Sequence, residues 1–151
     1  MSREGNLMRG ALKRQVVPAL RGMGFAGTGT SFRRLLPARQ DLLTIQFSKY
    51  GGSFILEFGS RERGPLQTSW GPVVPEDEVS AIYLSVTQRA RLQEAEAQAK
   101  DAFAGFSFEG FGDSELLYES LAIRVCGLLS QAEGWLCSRT KGPNVHAFSE
   151  A

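Results

Sequence analysis

Between residues 31 and 60 the chain carries three short runs rich in Phe, Leu and Ile, at 31–36, 42–48 and 53–60. They are divided by Pro37-Ala38-Arg39-Gln40-Asp41 and by Lys49-Tyr50-Gly51-Gly52. Runs of this length between turn-forming residues read as strands of an antiparallel meander. In the second run Leu43, Ile45 and Phe47 alternate with Leu42, Thr44 and Gln46, and in the third Phe54, Leu56 and Phe58 alternate with Ile55, Glu57 and Gly59. Successive strand side chains point to opposite faces, so one face of the sheet is strongly apolar and needs a helical layer over it. The same alternation sends Gln46 to the other face with Ile55 or Glu57, bordered by Arg33, Lys49 and Tyr50.

The helical layer is expected from both ends of the chain. Leu7, Met8, Ala11, Leu12, Val16, Ala19, Leu20 and Met23 keep helical spacing behind Asn6, a plausible N-cap, and the helix should end at Gly22 or Gly24. Pro18 removes a backbone donor, which predicts a kink or break near Val17. Asp113 or Ser114 caps a last helix reaching about Leu136, with Leu117, Leu121, Val125, Leu128 and Trp135 as its buried stripe.

Between these, 61–75 is a Gly- and Pro-rich loop in which Thr68-Ser69-Trp70 adds a short strand, and Pro75-Glu76-Asp77-Glu78 opens a helix with acids at its positive end. Residues 79–87 fit either a helix or a fourth strand, and both stay open. The Ala, Glu, Gln and Lys content of 88–103 predicts helix, broken by the Gly and Phe cluster at 105–112; from Ser138 the chain reads as a loose tail. The expectation is an α+β fold: a three- to four-stranded antiparallel sheet packed on one face by N- and C-terminal helices. Its 151 residues suit one domain.

Composition removes several classes of function. Hydrophobic residues at 42% and charged residues at 22% are too many for disorder and for a membrane span respectively, and no run approaches the roughly 18 apolar residues a span needs. The segment Met1-Ser2-Arg3-Glu4-Gly5-Asn6 lacks the layout of a signal peptide, so a cytoplasmic location is expected. Two cysteines and one histidine cannot build a disulfide framework or a Cys/His metal cage, and no metal or cofactor is expected. A literal G-x-G-x-x-G at Gly22-Met23-Gly24-Phe25-Ala26-Gly27 follows a helix instead of opening one, the wrong order for a dinucleotide site. Cys126 reads as core filling, Cys137 as a half-exposed helix end and His146 as a tail residue, so no nucleophile and base pair up.

The net charge of +1 hides an asymmetry. Up to Pro75 eleven Lys and Arg face four acids, a balance of +7; beyond it six bases face twelve acids, a balance of −6. The two halves either neutralise each other across a shared interface or present faces of opposite sign to partners. On the basic side Arg33, Arg34, Gln46, Lys49, Tyr50, Arg61 and Arg63 form a candidate ligand or partner face able to hold phosphate, carboxylate or a stacked base. On the acidic side Glu76, Asp77, Glu78 and Glu94 form a candidate partner surface on the helical second half.

Pro18-Ala19-Leu20-Arg21-Gly22-Met23-Gly24-Phe25, then Ser31-Phe32-Arg33-Arg34, then Leu43-Thr44-Ile45-Gln46-Phe47-Ser48-Lys49-Tyr50-Gly51-Gly52-Ser53-Phe54 and Leu56-Glu57-Phe58-Gly59 resemble the small bacterial domain-of-unknown-function family 4304. The likeness covers about residues 7–60 and implies a small α+β fold with no assigned reaction. Small bacterial proteins of this kind without catalytic groups are frequently immunity proteins. The expected function is therefore a non-enzymatic protein-binding module, a cytoplasmic immunity protein inhibiting a cognate toxin, with a small-ligand or nucleic-acid-binding domain as the alternative.

Overall fold

The computed structural model describes residues 2–94 and 105–148. Helix α1 (Arg3–Gly22) opens the chain, followed by β1 (Ala26–Thr28), β2 (Ser31–Leu35), β3 (Gln40–Phe47) and β4 (Ser53–Arg61). An excursion over 62–88 contains the small hairpin β5 (Leu66–Gln67) and β6 (Val73–Val74) and two single 3-10 turns, Glu76–Glu78 and Ala81–Tyr83. Then come β7 (Arg89–Leu92), β8 (Phe106–Ser107), α2 (Glu115–Ser138) and β9 (Val145–Ala147). Among the described residues, seven strands form one antiparallel sheet in the order β1-β2-β3-β4-β7-β9, with β8 beside β7 on the outer edge of β4.

The meander is where its alternation places it. Register pairs Leu43 with Phe58, Ile45 with Leu56 and Phe47 with Phe54, and these side chains meet α1 and α2 in one core with Met8, Leu12, Leu20, Leu121, Val125 and Trp135. Each large side chain fully removed from water contributes about 1.5–3 kcal/mol, so this layer dominates the stability. Phe54 stacks on Phe106 at 5.2 Å, and Phe108 lies 6.2 Å from Tyr118, whose hydroxyl donates to the Gly112 carbonyl at 2.7 Å. The Gly and Phe cluster is thus more than a helix breaker: it plugs one end of the core with aromatic rings.

Several expectations are corrected. Ser2, not Asn6, caps α1, its hydroxyl accepting the Gly5 amide at 3.0 Å; the first turn is mostly exposed, so hydrophobic periodicity gave it no signal. The helix runs through Pro18 without the break that was one of the two expected outcomes, with Pro18 on its exposed side. On α2, Leu117 is exposed and Leu128 half-buried; Tyr118, Ala122, Leu129 and Ala132 share the buried stripe instead. Thr68-Ser69-Trp70 is the turn beyond β5, not a strand. The helix opening at Pro75 stops after one 3-10 turn, and 79–87 holds no strand and no α-helix, only the 3-10 turn Ala81–Tyr83.

Residues 89–92 are a strand where helix was expected; Arg89-Ala90-Arg91-Leu92 alternates, burying Ala90 and Leu92 against Phe58 and Leu56. The remainder of that expected helix, 95–103, lies outside the described residues. The tail from Ser138 does not stay loose, since β9 pairs with β7.

The face opposite the helices is not fully open either. Residues 62–88 fold back over part of it, where Leu42, Val79, Ala81 and Leu84 form a second small core. Gly59 makes this possible: a Cβ there would run into the Gln88 carbonyl and the Leu84 side chain.

Arg34 joins the layers at the other end of the core. It is buried and donates to Asp41 at 2.7 and 3.0 Å, to Glu133 of α2 at 2.7 and 2.9 Å, and to the Met23 carbonyl at the end of α1 at 2.9 Å, with its guanidinium over the Phe25 ring. Burial works against its charge, but the bonds from Glu133 and Asp41 outweigh it and the guanidinium is held more firmly protonated than usual. Truncation by Arg34→Ala would leave the fully buried Asp41 carboxylate to Arg39 alone and remove the bonds to Glu133 and the Met23 carbonyl, and is expected to cost about 3 kcal/mol by urea denaturation. Arg33→Ala, next to it but on the opposite face, removes one bond to the Glu76 carbonyl and should cost only about 1 kcal/mol.

Candidate functional site

The seven residues expected on one ligand face separate into three groups. Arg34 is on the helix side, inside the ion network, because it alternates with Arg33. Arg61 is buried, donating to the Gln40 side chain at 3.1 Å and to the Gly64 and Pro65 carbonyls, so it braces the start of the excursion. Arg63 donates to both carboxylate oxygens of Glu76, at 2.9 and 3.0 Å, and Arg33 reaches the Glu76 backbone carbonyl at 2.9 Å. The phosphate cradle is therefore not assembled: these four guanidiniums hold the excursion and the helices in place.

Gln46, Lys49 and Tyr50 do come together. They line an open cleft of about 740 Å³ between the end of β3, the following turn, the start of α1 and Ile82 of the excursion. Gln46 is exposed opposite Ile55, as the alternation requires, and the Lys49 ammonium rests 5.1 Å from the Tyr50 ring centroid. Arg9 and Thr44 also line this cleft. No carboxylate or imidazole does, so the cleft offers an occupant hydrogen bonds and the positive charge of Arg9 and Lys49.

Further along the same face Glu57 is buried and accepts from Arg89 at 3.1 Å and Arg91 at 3.0 Å. Both arginines also lie against the Phe148 ring, which is 5.3 Å from His146. Burial, with Lys141 and Arg91 nearby, holds His146 below its usual range. Neither thiol bonds an imidazole: Cys126 donates to the Gln15 carbonyl at 3.2 Å and Cys137 to Glu133 at 2.8 Å, and burial pushes the Cys126 thiol up. Among the described residues no group of three or more His, Cys, Asp or Glu is placed to hold a metal ion.

The acids expected to form one partner surface also divide. Glu94, at the end of β7, faces Arg124 of α2 at 3.4 Å, away from the rest. Glu76 points inward to Arg63 and the Gly64 amide, while Asp77 and Glu78 are exposed on the excursion. None of the four lies on a long helix, because Glu76–Glu78 is a single turn. Near the exposed acids in sequence the excursion displays Ile82, Val86 and Val73, and Trp70, 68% exposed, stacks on Tyr83 with ring centroids 6.4 Å apart. In the sequence Trp70 stands only in the expected short strand Thr68-Ser69-Trp70; a lone exposed ring has no signature until the fold leaves it uncovered.

The architecture is that of an α+β domain with one helical layer on an antiparallel sheet and an open cleft at the sheet's end. The family model described as a domain of unknown function, DUF4304, matches residues 16–133, and the chain belongs to that family. The match extends well past the 7–60 region that carried the resemblance, through the excursion and most of α2. No curated protein and no solved structure matches the chain. No helix among the described residues is long and apolar enough to cross a membrane.

The Glu76 carboxyl has a measurable consequence. Its bonds from Arg63 and the Gly64 amide hold it down to about 2, below an unfolded value near 4.3. A depressed carboxyl stabilises the fold above its unfolded pKa, and that contribution disappears as pH falls through the folded value. Chemical denaturation of the wild type should therefore show stability falling between about pH 4 and pH 2, and Glu76→Gln should flatten the curve in that window.

Proposed function

We propose that the chain is a non-enzymatic protein-binding module, acting in the cytoplasm as an immunity protein that blocks a cognate bacterial toxin. The observation that carries this reading is the Trp70 ring, left largely in water while stacked on the half-buried Tyr83 of an excursion whose other side is packed onto the sheet. Exposed aromatic rings held rigidly are costly unless covered, and Trp and Tyr are the residues most often found at the energetic centre of protein interfaces. Asp77 and Glu78, exposed on the same excursion, favour a basic partner and would speed its approach. The lack of any nucleophile and base pair among the described residues agrees with a partner held by surface complementarity.

Co-expression with the toxin encoded beside its gene should restore growth of the host. Trp70→Ala should weaken the complex by about 2 kcal/mol or more in calorimetric titration, with the thermal midpoint of the free protein little changed. No rescue together with no complex would overturn the reading.

A further inference from the structure

A second surface lies on the other side of the sheet's end. Along α1, Arg9, Lys13, Val17 and Arg21 recur every fourth residue and so stand in one row. This row borders a groove of about 400 Å³ whose apolar lining comes from Leu12, Val17, Ile45 and Phe47. No carboxylate lines the groove, and Lys13 and Arg21 are exposed with no ion pair among the described residues. Of the basic excess in the first half of the chain, this is a part that the fold leaves facing outward.

The groove also ends on open sheet edge. Strand β3 outruns β2: their last paired residues are Ser31 and Thr44, and the last bond is the Ile45 amide to the Thr30 carbonyl at 2.8 Å. Antiparallel ladders alternate, and the Ser48 amide donates to Ser53 across the β4 side at 2.9 Å. By that alternation the Phe47 N–H and C=O point away from β4 to the uncovered edge, a donor and an acceptor spaced as a strand presents them.

We infer that this groove binds an extended acidic peptide segment with alternating apolar residues, which adds to the edge of β3 at Phe47 and sets its carboxylates against Arg9, Lys13 and Arg21. Backbone pairing at Phe47 holds the segment extended, the apolar lining accepts every second side chain, and the row of cations selects for acid. A nucleic acid is the poorer fit: the Phe47 ring already lies under the Arg9 guanidinium at 4.9 Å, so it is not a free platform for a base. The surface is distinct from the Trp70 patch, and its occupant need not be the same partner.

The test uses a fluorescent octapeptide alternating Glu and Val, its Lys and Val counterpart, and a single-stranded oligonucleotide, followed by anisotropy. The acidic peptide should bind in the micromolar range and more weakly as salt is raised, with the basic peptide at least about 10-fold weaker. Lys13→Glu with Arg21→Glu should weaken acidic-peptide binding about 10-fold or more at an unchanged thermal midpoint, and Lys13→Gln with Arg21→Gln serves should the reversal fail to fold. In the wild type, the Phe47 amide should become protected from hydrogen exchange when the acidic peptide is added. Equal binding of both peptides, no binding below about 1 mM, an unprotected Phe47 amide, or tighter binding of the oligonucleotide to the same row would each overturn the inference.

Discussion

One guanidinium, that of Arg34, is the point at which the sheet and both helices are fastened to one another. A buried cation is tolerated only when its donors are met, and here a carboxylate from β3, a carboxylate from α2 and a carbonyl from the end of α1 meet them. Each of those partners depends on a separate element arriving in register. The apolar core would hold the helices near the sheet in many related poses, because hydrophobic contact is non-directional. The forked geometry of Arg34 narrows those poses to one. Arg39 donates to Asp41 as well, at 2.9 and 3.3 Å, so the buried carboxylate is met by two guanidiniums.

The legible part of the fold was the part governed by short-range periodicity. The meander alternates over five to nine residues per strand, and the helices repeat their apolar positions over five or more turns. What escaped was built from pieces too short to have a period. Strand β7 has four residues, two of them arginines, in a stretch whose composition favours helix, and only its partner β4 decides the matter. The excursion is held by Leu42, Gly59 and Arg61, residues that belong to the sheet and say nothing locally about what will lie on them. Arg33 and Arg34 look alike in sequence, and the two-residue period that puts them on opposite faces was applied to Gln46 but not to them. Of the candidate ligand face, Gln46, Lys49 and Tyr50 share a cleft for the reason the alternation gave.

Part of the charge asymmetry between the halves of the chain is spent in ion pairs that join them, although Arg89 and Arg91 on Glu57 run in the opposite sense. Arg3 pairs with Asp113, Arg14 with Glu119, Arg34 with Glu133 and Arg63 with Glu76, in every case a base from the first half with an acid from the second. Surface pairs of this kind contribute little to stability, whereas the buried one fixes geometry. Their shared effect is to decide which charges remain outward. The basic row of α1 and the acids of the excursion are such remainders, and they give the molecule two faces of opposite character.

Strand β9 has a temporal meaning. Val145 pairs with Leu92 and Ala147 with Ala90, so the outer edge of β7 is closed only by residues about fifty positions later in the chain. During synthesis at about 5–20 residues per second, that edge waits roughly 3–10 s for its partner, during which its unpaired amides and carbonyls are open to any other strand. Glu57, already present on β4, can bind Arg89 and Arg91 as soon as β7 is made, so β7 is held on its inner side before β9 arrives.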